Sequence, residues 1–172
     1  MGNETDERDR GLCGELLAFI DESPSMFHAA AAVRRRLDAA GFAYLPEGSV
    51  WDVRPGGGYY TVRNNSSVIA WRVGSDVHAA AAGEGYHFQV AAAHGDSPAF
   101  KLKAVPELDG PEGYLRWDVE AYGGMIDYAW FDRPLSLAGR VLVRGEGTDA
   151  ARVESRLVSL DRDVAIIPSV AI

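Results

Sequence analysis

Leu12, Leu16, Phe19 and Ile20 recur at helical spacing and predict a first helix that runs to Asp21 or Glu22. Ser23-Pro24-Ser25 interrupts it, because Pro24 disfavours helix at the preceding residue and suits the first turn of a new helix behind a serine cap. Met26, Ala30, Val33, Leu37 and Ala40 share one face of that second helix, and Gly41 stands where it should end. Arg34-Arg35-Arg36 falls within it and fans around its circumference, the pattern of a solvated flank. The first ten residues are polar and of mixed charge; they read as a frayed tail and not as a signal peptide.

From residue 42 glycine becomes frequent and the helical period gives way to alternating or β-branched stretches. Strands are predicted over 51–53, 59–63 and 66–73, separated by turns at Pro55-Gly56-Gly57-Gly58 and Asn64-Asn65-Ser66. Gly83-Glu84-Gly85 makes another turn. Residues 86–94 then form a nearly continuous apolar run through Ala91-Ala92-Ala93, as expected of a central strand buried on both faces. Residues 101–113 read as a loop, with Pro106, Asp109-Gly110 and Pro111, and strands follow over 114–122, 137–144 and 153–160. The pattern is that of two leading helices followed by strands, with a β-rich second half and a soft boundary near residues 98–113.

Composition narrows the classes. The 172 residues suffice for one ordinary domain, and 47% apolar with 24% charged residues is a globular composition. A net charge of −8 argues against nucleic acid and anionic membrane partners, which require a basic footprint. No apolar run approaches the roughly 20 residues that span a bilayer, so cytoplasm is the expected location. The single cysteine, Cys13, excludes an internal disulfide and a cysteine-built metal site; beside Leu12 and Leu16 it reads as structural. The triple glycine is followed by no lysine-serine pair, so a phosphate loop is not indicated.

Chemistry centres on one of four histidines. His28 near the start of the second helix suits capping or the surface, His78 lies in an alanine-rich link, and His87 reads as a core or edge residue of a strand. His94 differs, because it opens the polar cluster His94-Gly95-Asp96-Ser97-Pro98 where a buried strand should give way to a loop. Residues two apart in extended chain face the same side, so the Asp96 carboxylate can accept a proton from one ring nitrogen of His94. That bond fixes the tautomer and leaves the other nitrogen free to donate its electron pair, as metal-binding histidines require. Alone, the triplet is a weak signal. Ser97 lacks a glycine-flanked nucleophile elbow and reads as a turn residue, and nothing selects a pair of carboxylates for glycoside chemistry.

The stretch His94-Gly95-Asp96-Ser97-Pro98-Ala99-Phe100-Lys101-Leu102-Lys103 resembles the signature of aspartyl aminopeptidases, the M18 zinc metallopeptidase family. Further similar blocks follow in the family's order: Val119-Glu120-Ala121-Tyr122-Gly123-Gly124 and Trp130-Phe131-Asp132-Arg133-Pro134-Leu135-Ser136-Leu137-Ala138-Gly139-Arg140-Val141. Phe19-Ile20-Asp21-Glu22-Ser23-Pro24-Ser25, with Phe27-His28-Ala29, is similar to the family's N-terminal helices.

The resemblance implies a zinc-exopeptidase-like α/β domain, here its N-terminal part (residues 1–98). It also implies the start of an inserted β-rich oligomerisation domain (residues 99–172), in which Trp130, Phe131 and Asp132 serve packing and assembly. It implies a hydrolase removing N-terminal, typically acidic, residues from peptides, with two zinc ions and a glutamate base. His94 matches a zinc-ligand position and Asp96 the carboxylate that orients it; Gly95 replaces the family's usual threonine, a change expected to affect loop stiffness. The family's remaining ligands lie downstream of the segment matching Ile167-Pro168-Ser169-Val170-Ala171-Ile172. A catalytic zinc takes about three protein ligands, so the chain is expected to be a portion inactive alone. A non-catalytic fragment or assembly module of the same family is the alternative. A peptide substrate and a homo-oligomer at full length are implied as partners.

Overall fold

The computed structural model describes residues 2–75, 87–145 and 152–170, with side chains from residue 10 onward. The chain divides into two compact units, Met1–Gly95 with Ala138–Ser159, and Asp96–Leu137 with Leu160–Ile172. His78, the turn at Gly83-Glu84-Gly85, Tyr86, Ala171 and Ile172 lie outside the described residues.

In the first unit the expected tail is corrected: α1 (Gly2–Asp21) is helical from Gly2. Its end agrees with the apolar period, but Leu12, Leu16, Leu17 and Ile20 are each more than half exposed and Cys13 is exposed too. What ties α1 to α2 (Met26–Ala39) is polar: Glu22 pairs with Arg35 and Arg36, and the Arg36 guanidinium lies 4.8 Å from the Phe19 ring.

Both ends of α2 follow from local sequence. Ser25 is the extended N-cap, and its hydroxyl accepts the His28 N–H at 3.4 Å. At the other end Gly41 takes φ +76°, Phe42 N–H donates to Leu37 C=O at 3.0 Å and Gly41 N–H to Asp38 C=O at 3.0 Å. This is the paired bonding of a Schellman cap, which needs a left-handed residue at the glycine.

Against α2 and its cap lies a three-stranded sheet of β1 (Ala43–Tyr44), β2 (Gly58–Arg63) and β3 (Ser67–Arg72), with β1 parallel and β3 antiparallel to the central β2. Asn64 and Asn65 turn the hairpin with φ 52° and 54°, a backbone region that asparagine tolerates. The core is small: Ala30, Ala32, Tyr59, Tyr60 and Thr61 are buried. Tyr60 is only 1% exposed and donates its hydroxyl to Asp38 Oδ1 at 2.6 Å. The predicted strand at 51–53 is instead irregular. There the Trp51 indole N–H bonds Pro46 C=O at 2.8 Å and its ring lies 5.4 Å from Trp71, so side-chain packing replaces ladder pairing. A hairpin of β6 (Ala138–Arg144) and β7 (Val153–Ser159) completes the unit.

Residues 87–94 are a second correction. The expected central strand has no strand pairing, and Phe88 and Val90 are 86% and 85% exposed. A strand buried on both faces requires neighbours on each side, and the described strands pair among themselves instead.

In the second unit, β4 (Ala99–Leu108) occupies most of the stretch read as a loop and pairs antiparallel with β5 (Arg116–Tyr122). Its outward residues are charged and matched across the ladder, Lys101 to Glu120 at 3.2 Å and Lys103 to Asp118 at 3.1 Å. Pro106 is accommodated because the register shifts between Leu102 and Glu107, a bulge that frees the strand from an amide donor there. A 3₁₀ turn follows at Asp127–Trp130, and the segment after Leu160 returns to make bridges Phe131↔Ile167 and Leu135↔Ala165.

Candidate functional site

The polar cluster at 94–98 falls where the two units part. His94 is exposed and ends the first unit's leading stretch with Gly95; Asp96 is half-buried and opens the second. Ser97 is exposed and stands before Pro98, which leads directly into β4 at Ala99.

Within the second unit the site loop is anchored at the open end of the hairpin. Ala99 pairs with Tyr122, and the next residue, Gly123, turns at φ +81°. A Cβ built on Gly123 would touch Pro98 at 3.8 Å, so the exit of β5 lies against the entry of β4. Beside Pro98 opens a hollow of about 550 Å³ lined also by Gly124, Met125, Ile126, Ala129 and Trp130. Trp130 is fixed by an edge-on contact with Phe100, with ring centroids 5.5 Å apart and planes at 86°. An apolar recess thus adjoins the loop that carries Asp96.

The other histidines take separate roles. His28 Nδ1 lies 2.7 Å from the Ser25 hydroxyl, and burial lowers its pKa from the ordinary value, so at neutral pH it is an uncharged partner of the helix cap. His87 is exposed in the unpaired segment instead of lying within a strand. Among the described residues, no group of three or more His, Cys, Asp or Glu side chains is placed to hold a metal ion.

A relationship missed by sequence reading is the clasp between Asp132 and Ser169. Asp132 has a left-handed backbone, φ +55°, its N–H donates to Ile167 C=O at 2.9 Å, and its carboxylate accepts both the Ser169 N–H at 2.9 Å and the Ser169 hydroxyl. Those bonds hold its pKa below the ordinary aspartate value, the hydroxyl contributing most and the amide next. The positions are 37 apart in sequence, and no local pattern links them.

A family model described as aminopeptidase I zinc metalloprotease (M18) matches residues 19–172. The chain is similar to the probable M18 family aminopeptidase 2 of Pseudomonas paraeruginosa, 43% identical over 157 residues, covering 91% of this chain and 34% of that protein. Among solved structures, it is similar to a chain of the Ape4 and Nbr1 complex with a TM-score of 0.81 and 40% identity, over 91% of this chain and 29% of that one. The dodecamer of mApe1 from S. cerevisiae gives a TM-score of 0.74 and 30% identity, over 92% and 36% of the two chains. The chain therefore spans about a third of the length of the relatives it matches. With the match running from the N-terminal helices through the His94–Pro98 loop to the final residue, the chain belongs to the M18 family of zinc metalloprotease aminopeptidases.

Proposed function

We propose that this chain supplies the N-terminal portion of a zinc aminopeptidase that removes N-terminal residues, acidic ones by preference, from peptides. The observation that carries the reading is the family match over residues 19–172, which takes in His94, Asp96 and the blocks that follow them. In this reading His94 is a zinc ligand, Asp96 holds its ring in the metal-binding tautomer, and the complete site contains two zinc ions. The described residues do not themselves fit such a site. The matched loop offers one imidazole and one carboxylate where a catalytic zinc takes about three protein ligands, and no described cluster makes up the difference.

The exposed Phe88 and Val90 support the same reading, since an apolar stretch of this kind requires cover from further chain. The proposal places the peptidase portion in residues 1–98 and the start of an inserted β-rich portion in residues 99–172, although the β6–β7 hairpin packs in the first unit. It includes a cytoplasmic homo-oligomer, for which the mApe1 dodecamer is the precedent. Among the described residues no helix is long and apolar enough to cross a membrane.

Zinc content after dialysis and cleavage of a chromogenic peptide with an N-terminal aspartate test the reading. The 172-residue chain is expected to retain little zinc and show no turnover, whereas a longer polypeptide carrying the relatives' remaining length should bind zinc and hydrolyse the peptide. Chelator-sensitive hydrolysis by the short chain would refute the need for further residues. A silent longer protein would refute the peptidase reading itself.

A further inference from the structure

We propose that the first unit carries a binding site for a small oxyanion, phosphate or carboxylate, between one face of α2 and the β2–β3 and β6–β7 hairpins. A hollow of about 180 Å³ lies there, lined by Phe27, Ala31, Arg34, Asn65, Ser155 and Leu157. Phe27, Ala31 and Arg34 are spaced by four and three residues, which puts them on one stripe of the helix. By the roughly 30 Å³ that each liquid water occupies, the volume holds a small anion with a few waters and excludes a folded or extended peptide.

Two half-buried guanidiniums carry the inference, Arg34 in the lining of the hollow and Arg140 outside it, stacked on the lining ring of Phe27. Arg34 lies over the Tyr44 ring at 5.3 Å, and Arg140 over the Phe27 ring at 4.2 Å. Arg140 commits only Nη1, which donates to Asn64 C=O at 2.8 Å and to Asn64 Oδ1 at 3.0 Å. The rest of its planar fork makes no hydrogen bond among the described residues. Arg34 is in no ion pair among them; its guanidinium meets the Tyr60 hydroxyl, which itself donates to Asp38 Oδ1 at 2.6 Å.

Five other arginines are matched with acids, while Arg72 lies over the Phe42 ring and Arg116 and Arg133 donate to backbone carbonyls. Arg35 and Arg36 reach Glu22, Arg54 reaches Asp52, Arg63 reaches Glu47 and Arg156 reaches Glu154. In a protein of net charge −8, two half-buried cations stacked on aromatic faces beside one hollow, neither in an ion pair among the described residues, mark a place where a negative group is wanted. The Ser155 hydroxyl and the Asn65 amide at the same hollow add neutral donors of the kind that complete an oxyanion's hydrogen bonds. This site is independent of the peptidase reading, since none of its residues belongs to the 94–98 loop.

The test is a pair of NMR titrations of the 172-residue chain at constant ionic strength, one with inorganic phosphate and one with succinate, each against a sodium chloride blank. The arginine Nε–H signals of Arg34 and Arg140 and the Ser155 amide are expected to shift together and saturate. Saturation by phosphate alone, by succinate alone, or by both in competition identifies the chemistry. Arg34→Gln should weaken binding about tenfold or more, as loss of a charge-assisted contact does. Arg140→Lys, which keeps the charge but loses the fork, should weaken it too; its stacked ring makes folding a separate check by far-ultraviolet circular dichroism. Shifts no larger than those with chloride, or unchanged saturation in a folded Arg34→Gln protein, overturn the proposal.

Discussion

The Asp132 carboxylate takes both the amide and the hydroxyl hydrogen of Ser169, while the Asp132 amide is bound to Ile167. One residue thus fastens the returning segment at two points, and its backbone is held at φ +55° to do so. Asp132→Ala should release the Ser169 amide, because alanine supplies no acceptor and resists the left-handed backbone. Amide exchange at Ser169 is expected to quicken by roughly five- to tenfold, the usual scale for losing a charge-assisted bond at a surface. Asp132→Asn should preserve the clasp. Its Oδ1 still accepts the amide and its Nδ2 can donate to the hydroxyl oxygen once the hydroxyl turns. Equal exchange in wild-type and alanine proteins would show that the bridges at Phe131 and Leu135 suffice without the side chain.

The same carboxylate fixes a pH dependence. Its pKa is depressed in the folded chain by the Ser169 hydroxyl first and the amide second. The unfolded state therefore binds its proton more readily, and the clasp's contribution is complete above the ordinary aspartate value of 3.8 and lost as pH falls through the lower folded value. Ser169 amide protection should hold from pH 7 to pH 5 and decline below about pH 4. In Asp132→Asn that decline should be absent.

Much of the local architecture is legible from neighbours in sequence. Ser25 behind Pro24 and Gly41 after Leu37 mark both ends of α2, since the bonds that close a helix come from residues within five positions. Asn64-Asn65 marks the β2–β3 turn through its backbone preference. Where the reading failed, the deciding partner was remote or lacking. Pro106, Asp109-Gly110 and Pro111 make residues 101–113 look like a loop until β5 is set opposite β4, with Glu120 and Asp118 meeting Lys101 and Lys103. Ala91-Ala92-Ala93 looks like a buried strand, yet a strand exists only with a neighbour to bond. The zinc-ligand role proposed for His94 rests on the resemblance alone, because one imidazole on a loop does not define a metal site.

The α2 cap gives a stability test. The Ser25 hydroxyl serves both the His28 amide and His28 Nδ1. Ser25→Ala should cost about 1 kcal/mol, within the usual range for removing a serine cap, read as a lower urea midpoint with an unchanged slope. His28 adds a pH term. Burial lowers its folded pKa below 6.5, so stability is complete above pH 6.5 and falls as the pH drops through the lower folded value, where the ring must charge inside the cap. His28→Gln should flatten stability between pH 6.5 and 5. Persistence of the slope in that variant would assign it to another group.

Gly57 is constrained by a single ring. A Cβ there would overlap the Tyr59 hydroxyl and the ring carbons beside it, and that hydroxyl is already held by the Arg54 amide at 2.8 Å. Tyr59 is buried, so the ring has little room to retreat. Gly57→Ala should destabilise by about 1–3 kcal/mol, as overpacking does. The double variant Gly57→Ala with Tyr59→Ala should be less than additive, because alanine removes both the oxygen and the ring carbons that meet the new methyl. Strict additivity in chemical denaturation would point to backbone entropy and not to the clash.

Asp96 is best judged in a longer polypeptide that binds zinc, by separating its role from that of His94. A ligand and the residue that orients it fail differently. With His94 as the proposed ligand, His94→Ala should abolish both zinc retention and peptide hydrolysis. Asp96→Asn keeps the size of the side chain and can still meet the ring, but it no longer draws a ring proton to itself with a full negative charge. Zinc affinity should fall about 10- to 100-fold, the range seen when such orienting partners are changed, and saturating zinc should restore much of the hydrolysis rate. That rescue is the discriminating readout: a residue that merely shapes the loop would alter folding without a zinc-dependent recovery. Affinity within twofold of the parent, measured by competition with a chelator of known strength, would remove Asp96 from the metal's surroundings and leave His94 to be held by some other group.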